Sequence, residues 1–269
     1  MDTLIDVGQV VGAIVGVLTL LGLLWQGGVG LLRLYRATIG RAGVAHRKLG
    51  KLSPDVTLSY FTSILGPPAF NNSASHHTEF VYVDRYFYLQ AWVDTRERVI
   101  FYTVTSRRKR FRPPIWNDAA SWVLFQNPSK KLRLGRFSFS QVPEWDPDGI
   151  IGWLGARRFG YTESFYFGNP GHYQRYVIGF TDAGTVYGPM PRIAETLPDY
   201  SVQVGIFSGQ SDEDAVREYI AQEPVVRFRR EARPNLYGVS SPHFSFASDL
   251  EAGSLAIGPN ADQVRLPQN

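Results

Sequence analysis

The chain has 269 residues, a formal net charge of +4, 44% hydrophobic and 14% aromatic content, and no cysteine. The missing cysteine excludes a disulfide framework, a thiolate metal site and a cysteine nucleophile. Hydrophobic content at this level is that of a folded chain, and the aromatic richness favours sheet, where rings pack on a pleated surface.

Val7 to Leu32 carries no charged side chain, and a helix needs about 20 apolar residues to cross a bilayer. The reading is a short outward N-terminus at 1–6 and a single N-terminal transmembrane helix at 7–32. Its acidic start (Asp2, Asp6) and its length argue against a cleaved signal peptide. Arg33, Arg36, Arg41, Arg47, Lys48 and Lys51 follow the run, with no Asp or Glu between Val7 and Pro54. The positive-inside rule then expects a single-pass cell-membrane protein with its C-terminal domain cytoplasmic. Trp25 and Tyr35 are expected to sit at the membrane interface. Gly8, Gly12 and Gly16 recur every fourth residue, a spacing that lets a second helix approach closely and suggests a homo-oligomer through the span.

Residues 33–52 read as a basic amphipathic connector lying on anionic lipid. Ser53-Pro54-Asp55 reads as the start of a short helix over Val56 to Leu65, stopped by Gly66-Pro67-Pro68. Phe80 to Val83, Tyr86 to Val93 and Val99 to Thr105 are rich in aromatic and β-branched residues and predict an antiparallel meander. Leu134 to Phe139 reads as a strand, and Asp146 to Gly149 as a turn. Tyr161 to Phe167 and His172 to Phe180 predict a hairpin around Gly168-Asn169-Pro170-Gly171. A strand at Val202 to Phe207 precedes a helix over Asp212 to Ala221. Residues 256–269 read as a flexible tail. The fold class expected is α+β: one transmembrane helix, then a mainly antiparallel β-sheet domain at 53–255 with a few short helices.

Motifs with specific chemistry are missing. There is no Gly-x-Ser-x-Gly elbow, His-Glu-x-x-His pair or Gly-x-Gly-x-x-Gly loop. His76-His77 with Glu79 has no third ligand at a recognised spacing and reads as a solvated loop. No cofactor and no metal are expected. The run Arg107-Arg108-Lys109-Arg110-Phe111-Arg112 carries five positive charges in six residues. Anionic lipid headgroups are its preferred partner, ahead of nucleic acid, for which Phe111 would supply a stacking ring.

Gly155 to Gln174, with Leu65-Gly66-Pro67-Pro68-Ala69-Phe70, resembles a family of bacterial proteins of uncharacterised activity. Its members share a plan of one N-terminal membrane helix, a basic connector and an α+β domain, so the resemblance implies architecture only. Residues 53 to 105 are also faintly similar to small outer-membrane assembly lipoproteins, whose anchoring cysteine this chain lacks.

The function expected is a membrane-anchored binding or scaffolding module that recognises a protein or small ligand on an aromatic-rich sheet surface. The alternative is a membrane-bound hydrolase or transferase, its site formed by Arg158, Glu163, His172 and Gln174. A membrane-disrupting oligomer of glycine-lined helices is a third reading.

Overall fold

The computed structural model describes residues 40–73, 77–115, 132–142, 146–155, 159–167, 174–197, 201–208, 212–242 and 257–260, with residues 25, 28–30, 244, 246 and 264. The chain divides into two units, Met1–Arg47 and Lys48–Asn269. The helix α1 (Arg41–Leu49) runs across residue 47.

The transmembrane helix expected at 7–32 is corrected. No helix of the described residues is long and apolar enough to cross a membrane. The described α-helices have eight or nine residues, about 14 Å at 1.5 Å per residue, against a hydrocarbon core of about 30 Å. Within that stretch Trp25 is exposed in helical backbone. Gly8, Gly12, Gly16, Arg33, Tyr35 and Arg36 lie outside the described residues.

The second unit is built on one nine-stranded sheet, in the order β1-β2-β3-β4-β9-β7-β6-β5-β8. Its strands are β1 (Phe70–Ser73), β2 (Thr78–Val83), β3 (Phe87–Val93), β4 (Val99–Ser106), β5 (Gly149–Leu154), β6 (Phe159–Phe167), β7 (Gln174–Thr181), β8 (Ser201–Gly205) and β9 (Leu236–Ser240). Every neighbouring pair is antiparallel. Two meanders are thus joined by β9, which pairs with β4 on one side and β7 on the other. The expected meander is β2 to β4 and the expected hairpin is β6 and β7.

Both sheet faces are covered, because successive side chains point to opposite sides. On one face lie helices α2 (Leu58–Leu65), α3 (Glu213–Ala221) and α4 (Glu223–Glu231). Phe61 of α2 meets Tyr102 edge-on at 5.5 Å, and Phe228 of α4 meets Tyr161 at 4.7 Å. On the other face Trp92, Phe101, Ile151, Val177 and Leu236 pack with Phe207, Phe244, Phe246 and Ile257. The aromatic sheet surface expected to receive a ligand is therefore interior: β3 and β9 are buried along their whole length.

Local signals explain where the elements shifted. Asp55 has φ +64°, and its N–H donates to Val99 O at 2.8 Å. That geometry spends the Ser53-Pro54-Asp55 segment on the β3–β4 turn. Thr57 takes over as N-cap of α2, its side chain accepting from Tyr60 N–H. The strand expected over Leu134 to Phe139 is a turn followed by a 3-10 helix at Phe139–Gln141. His77, expected in solvent, is buried beside β2. Beyond residue 255, Ile257 is buried and Gly258 N–H donates to Gln90 Oε1 at 2.8 Å, so these positions belong to the core.

Asn235 ties β9 into the sheet. It is fully buried. Its Nδ2 donates to Thr181 O at 2.8 Å and Thr185 O at 3.2 Å, and its Oδ1 accepts from Thr181 N–H at 3.0 Å. Asn235→Ala strands the buried Thr181 N–H and leaves Thr181 O with the Gly184 N–H at 3.2 Å. The expected cost is about 3 kcal/mol, seen as a lowered urea midpoint with an unchanged slope.

Candidate functional site

Two of the four residues proposed as an enzyme site, Glu163 and Gln174, lie among the described residues. Arg158 and His172 lie outside them. Glu163 pairs with Ile178 across β6 and β7, whereas Gln174 pairs with Phe167. The two are thus four positions apart along the hairpin, about 13 Å at 3.3 Å per residue.

Glu163 is fully buried and already engaged. Arg229 Nε of α4 donates to its Oε1 at 2.7 Å and Nη2 to Oε2 at 3.3 Å, and the Tyr161 hydroxyl donates to Oε1 at 2.9 Å. Burial pushes the Glu163 carboxyl above its ordinary range, while Arg229 and the Tyr161 hydroxyl pull it back. Burial, with Glu163 beside it, raises the Tyr161 phenol well above its usual value. A carboxylate sealed under α4 with both oxygens occupied holds α4 to the sheet and offers nothing to a substrate. Gln174 accepts from the Tyr176 hydroxyl at 3.1 Å.

The residues that do gather at one place are cations. The end of the sheet where β4 stops carries the β2–β3 loop, the segment after β4 and the segment around residue 133. Three contacts stitch these together. Arg107 Nη1 donates to Asp84 O, Arg108 Nε donates to Arg85 O at 3.4 Å, and Arg133 Nη1 donates to Arg112 O at 3.2 Å. Arg112 also reaches back, its Nη1 donating to Gly135 O at 3.3 Å.

Aromatic rings hold three of these guanidinium groups in place. Arg107 lies over Tyr88 at 4.4 Å, Arg112 over Tyr187 at 5.3 Å and Arg85 over Tyr86 at 5.9 Å. Beneath them, the Tyr187 hydroxyl donates to Ser106 Oγ at 2.7 Å. Burial raises the Tyr187 phenol, with Ser106 and Arg112 opposing the shift. Gly135 packs directly on the Tyr187 ring and takes φ +71°, so a side chain there meets both strain and the ring.

Phe111 is the anchor of the basic run. It is 1% exposed and lies parallel to Phe87 at 6.0 Å. The ring considered for base stacking is therefore committed to the interior, while Arg108, Lys109 and Arg110 stand in solvent. The sequence marks the run itself. It does not mark Arg85, read as a strand break, or Tyr86, Tyr88 and Tyr187, because the register that places rings beneath arginines spans three separate segments.

Ion pairs lie elsewhere in the second unit, and the cluster shares their absence with Arg96, Arg98, Arg136, Arg230 and Arg233 among the described residues. Among the described residues, Arg175, Arg192, Arg217, Arg227 and Arg229 each pair with a carboxylate. In the same set of ion pairs, no carboxylate meets Arg85, Arg107, Arg108, Lys109, Arg110, Arg112 or Arg133. Compared with protein-family models, curated proteins and solved structures, the chain matches none.

Proposed function

We propose that the chain is a binding module that docks on anionic lipid headgroups through the loop cluster around Arg107 to Arg112. The observation that carries this reading is the gathering of cations at one end of the sheet, three of them braced on tyrosine rings and two of these also on backbone carbonyls. Bracing lowers the entropy lost when the groups meet an anionic plane, and each basic residue near such a surface strengthens attachment. Met190, 54% exposed, follows Tyr187 in the same loop, which supplies an apolar contact suited to the headgroup boundary. The burial of Phe111 disfavours single-stranded nucleic acid, whose recognition uses exposed rings.

Co-sedimentation with vesicles tests this. The chain is expected to bind phosphatidylcholine vesicles containing phosphatidylglycerol and not vesicles of phosphatidylcholine alone, with binding weakened at 0.5 M salt. The triple variant R108E/K109E/R110E is expected to lose about tenfold or more in apparent affinity, at an unchanged circular dichroism spectrum, because these side chains are exposed. Equal binding by the variant, or equal binding to both vesicle types, rejects the reading.

A further inference from the structure

We infer that the open edge of β8 is a homodimer interface, pairing antiparallel with β8 of a second copy about a two-fold axis at Gln203. The argument rests on main-chain direction and on the sequence of the strand. Ile206 N–H donates to Asp148 O at 3.1 Å, and β8 pairs with β5 through Val202↔Gly152 and Val204↔Ile150. In an antiparallel ladder, residues alternate in the side toward which their N–H and C=O point. The Ile206 bond therefore turns the main-chain groups of Val204 and Val202 toward β5, and those of Ser201 and Gln203 toward the open edge. No strand among the described residues covers that edge. Ser201 and Gln203 are exposed there.

Natural sheets guard an open edge with Lys, Pro, a bulge or extreme shortness. β8, Ser201-Val202-Gln203-Val204-Gly205, carries no charge and no proline. Its central three residues, Val202-Gln203-Val204, read the same in both directions. With Gln203 opposite Gln203 of the second copy, each donates its N–H to the other's C=O. Val202 then faces Val204 of the other copy on the helix-covered side, and the two Gln203 side chains meet on the opposite side. β-branched side chains facing each other across strands are a favourable cross-strand pair. A strand with no charge to select a foreign partner, and whose Val202 and Val204 match under rotation about Gln203, fits a second copy of itself. The product is one continuous sheet across both copies, which removes the exposed edge from each.

Sedimentation velocity and oxidative crosslinking of the full chain test this. Gln203→Pro deletes an N–H that points to the open edge, leaving the β5 ladder untouched. The wild-type chain is expected to sediment as a dimer, and the proline variant as a monomer with an unchanged circular dichroism spectrum. Because the chain has no cysteine, a single introduced thiol reports on register. Gln203→Cys places two sulfurs across the axis, with Cα atoms about 5.5 Å apart, within disulfide reach. Ser201→Cys, equally exposed on the same side, places its Cα atoms about 13 Å apart. Efficient crosslinking at 203 and at least tenfold less at 201 supports the interface. A monomeric wild type, a dimer that survives Gln203→Pro, or equal crosslinking at the two positions overturns it.

Discussion

Arg229→Leu is expected to lower stability by about 3–5 kcal/mol at neutral pH, read from urea unfolding. Glu163 lies fully buried on β6, and among the described residues Arg229 is the only guanidinium paired with it. Removing the guanidinium leaves a carboxylate in a low-dielectric interior with only the Tyr161 hydroxyl to solvate it. The cost is set by that uncompensated charge, so the pH dependence has a definite sign. The Glu163 carboxyl is raised in the fold from its ordinary 4.5 by burial. Below that ordinary value folded and unfolded chains are both protonated there. As pH rises through the window up to the raised folded value, the unfolded chain releases its proton first, and stability falls. Arg229→Leu extends that window upward, so its deficit is expected to shrink as pH falls and the carboxyl takes up a proton. Glu163→Gln is expected to flatten the same part of the wild-type profile. The double change Glu163→Met with Arg229→Met is expected to recover most of the loss, since an apolar pair of similar volume needs no compensation. A deficit in Arg229→Leu that is constant with pH means the residue acts by packing alone.

Phe246→Ala is expected to cost about 3–5 kcal/mol, a second large effect, and it lies in a segment whose sequence gives little sign of it. The Phe246 ring is 1% exposed and sits 5.0 Å from Phe101, 4.7 Å from Phe207 and 4.8 Å from Phe244. Phe101 belongs to β4, and Phe207 to the turn after β8, so one ring bridges the two meanders across the face opposite the helices. Its removal opens a cavity lined by rigid aromatic rings that cannot collapse into it. Thermal unfolding followed by near-ultraviolet circular dichroism is the appropriate measurement, because the lost ring stacking alters that signal directly. Phe246→Leu, which keeps most of the volume, is expected to lose less than half as much.

The legible parts of this fold are those with strong local patterns. β3 and β4 are runs of aromatic and β-branched residues, and the β6–β7 hairpin carries Gly and Pro between two such runs. β9 was not legible. It is Leu236-Tyr237-Gly238-Val239-Ser240, five residues with glycine at the centre. Gly238 is there because a side chain would strike Tyr102 O and Val177, a requirement of the packed sheet that no local pattern displays. The candidate site divides the same way. The basic run is plain in sequence, but the rings that brace it come from residues 86, 88 and 187. Conversely, Glu163 looked like chemistry beside a Gly-rich turn and is instead the buried partner of an arginine 66 positions away. An apolar N-terminal run reads as a membrane span by composition, whereas the described helices are too short for one.

The central place of β9 also constrains how the chain is made. Both of its neighbours, β4 and β7, precede it in sequence, so on the ribosome they must wait with bare edges until Ser240 has emerged. Closing the middle last joins segments more than a hundred residues apart, an arrangement that slows folding. Nascent chains stalled between Thr181 and Leu236 are expected to present two sticky half-sheets, the natural substrates of a holding chaperone.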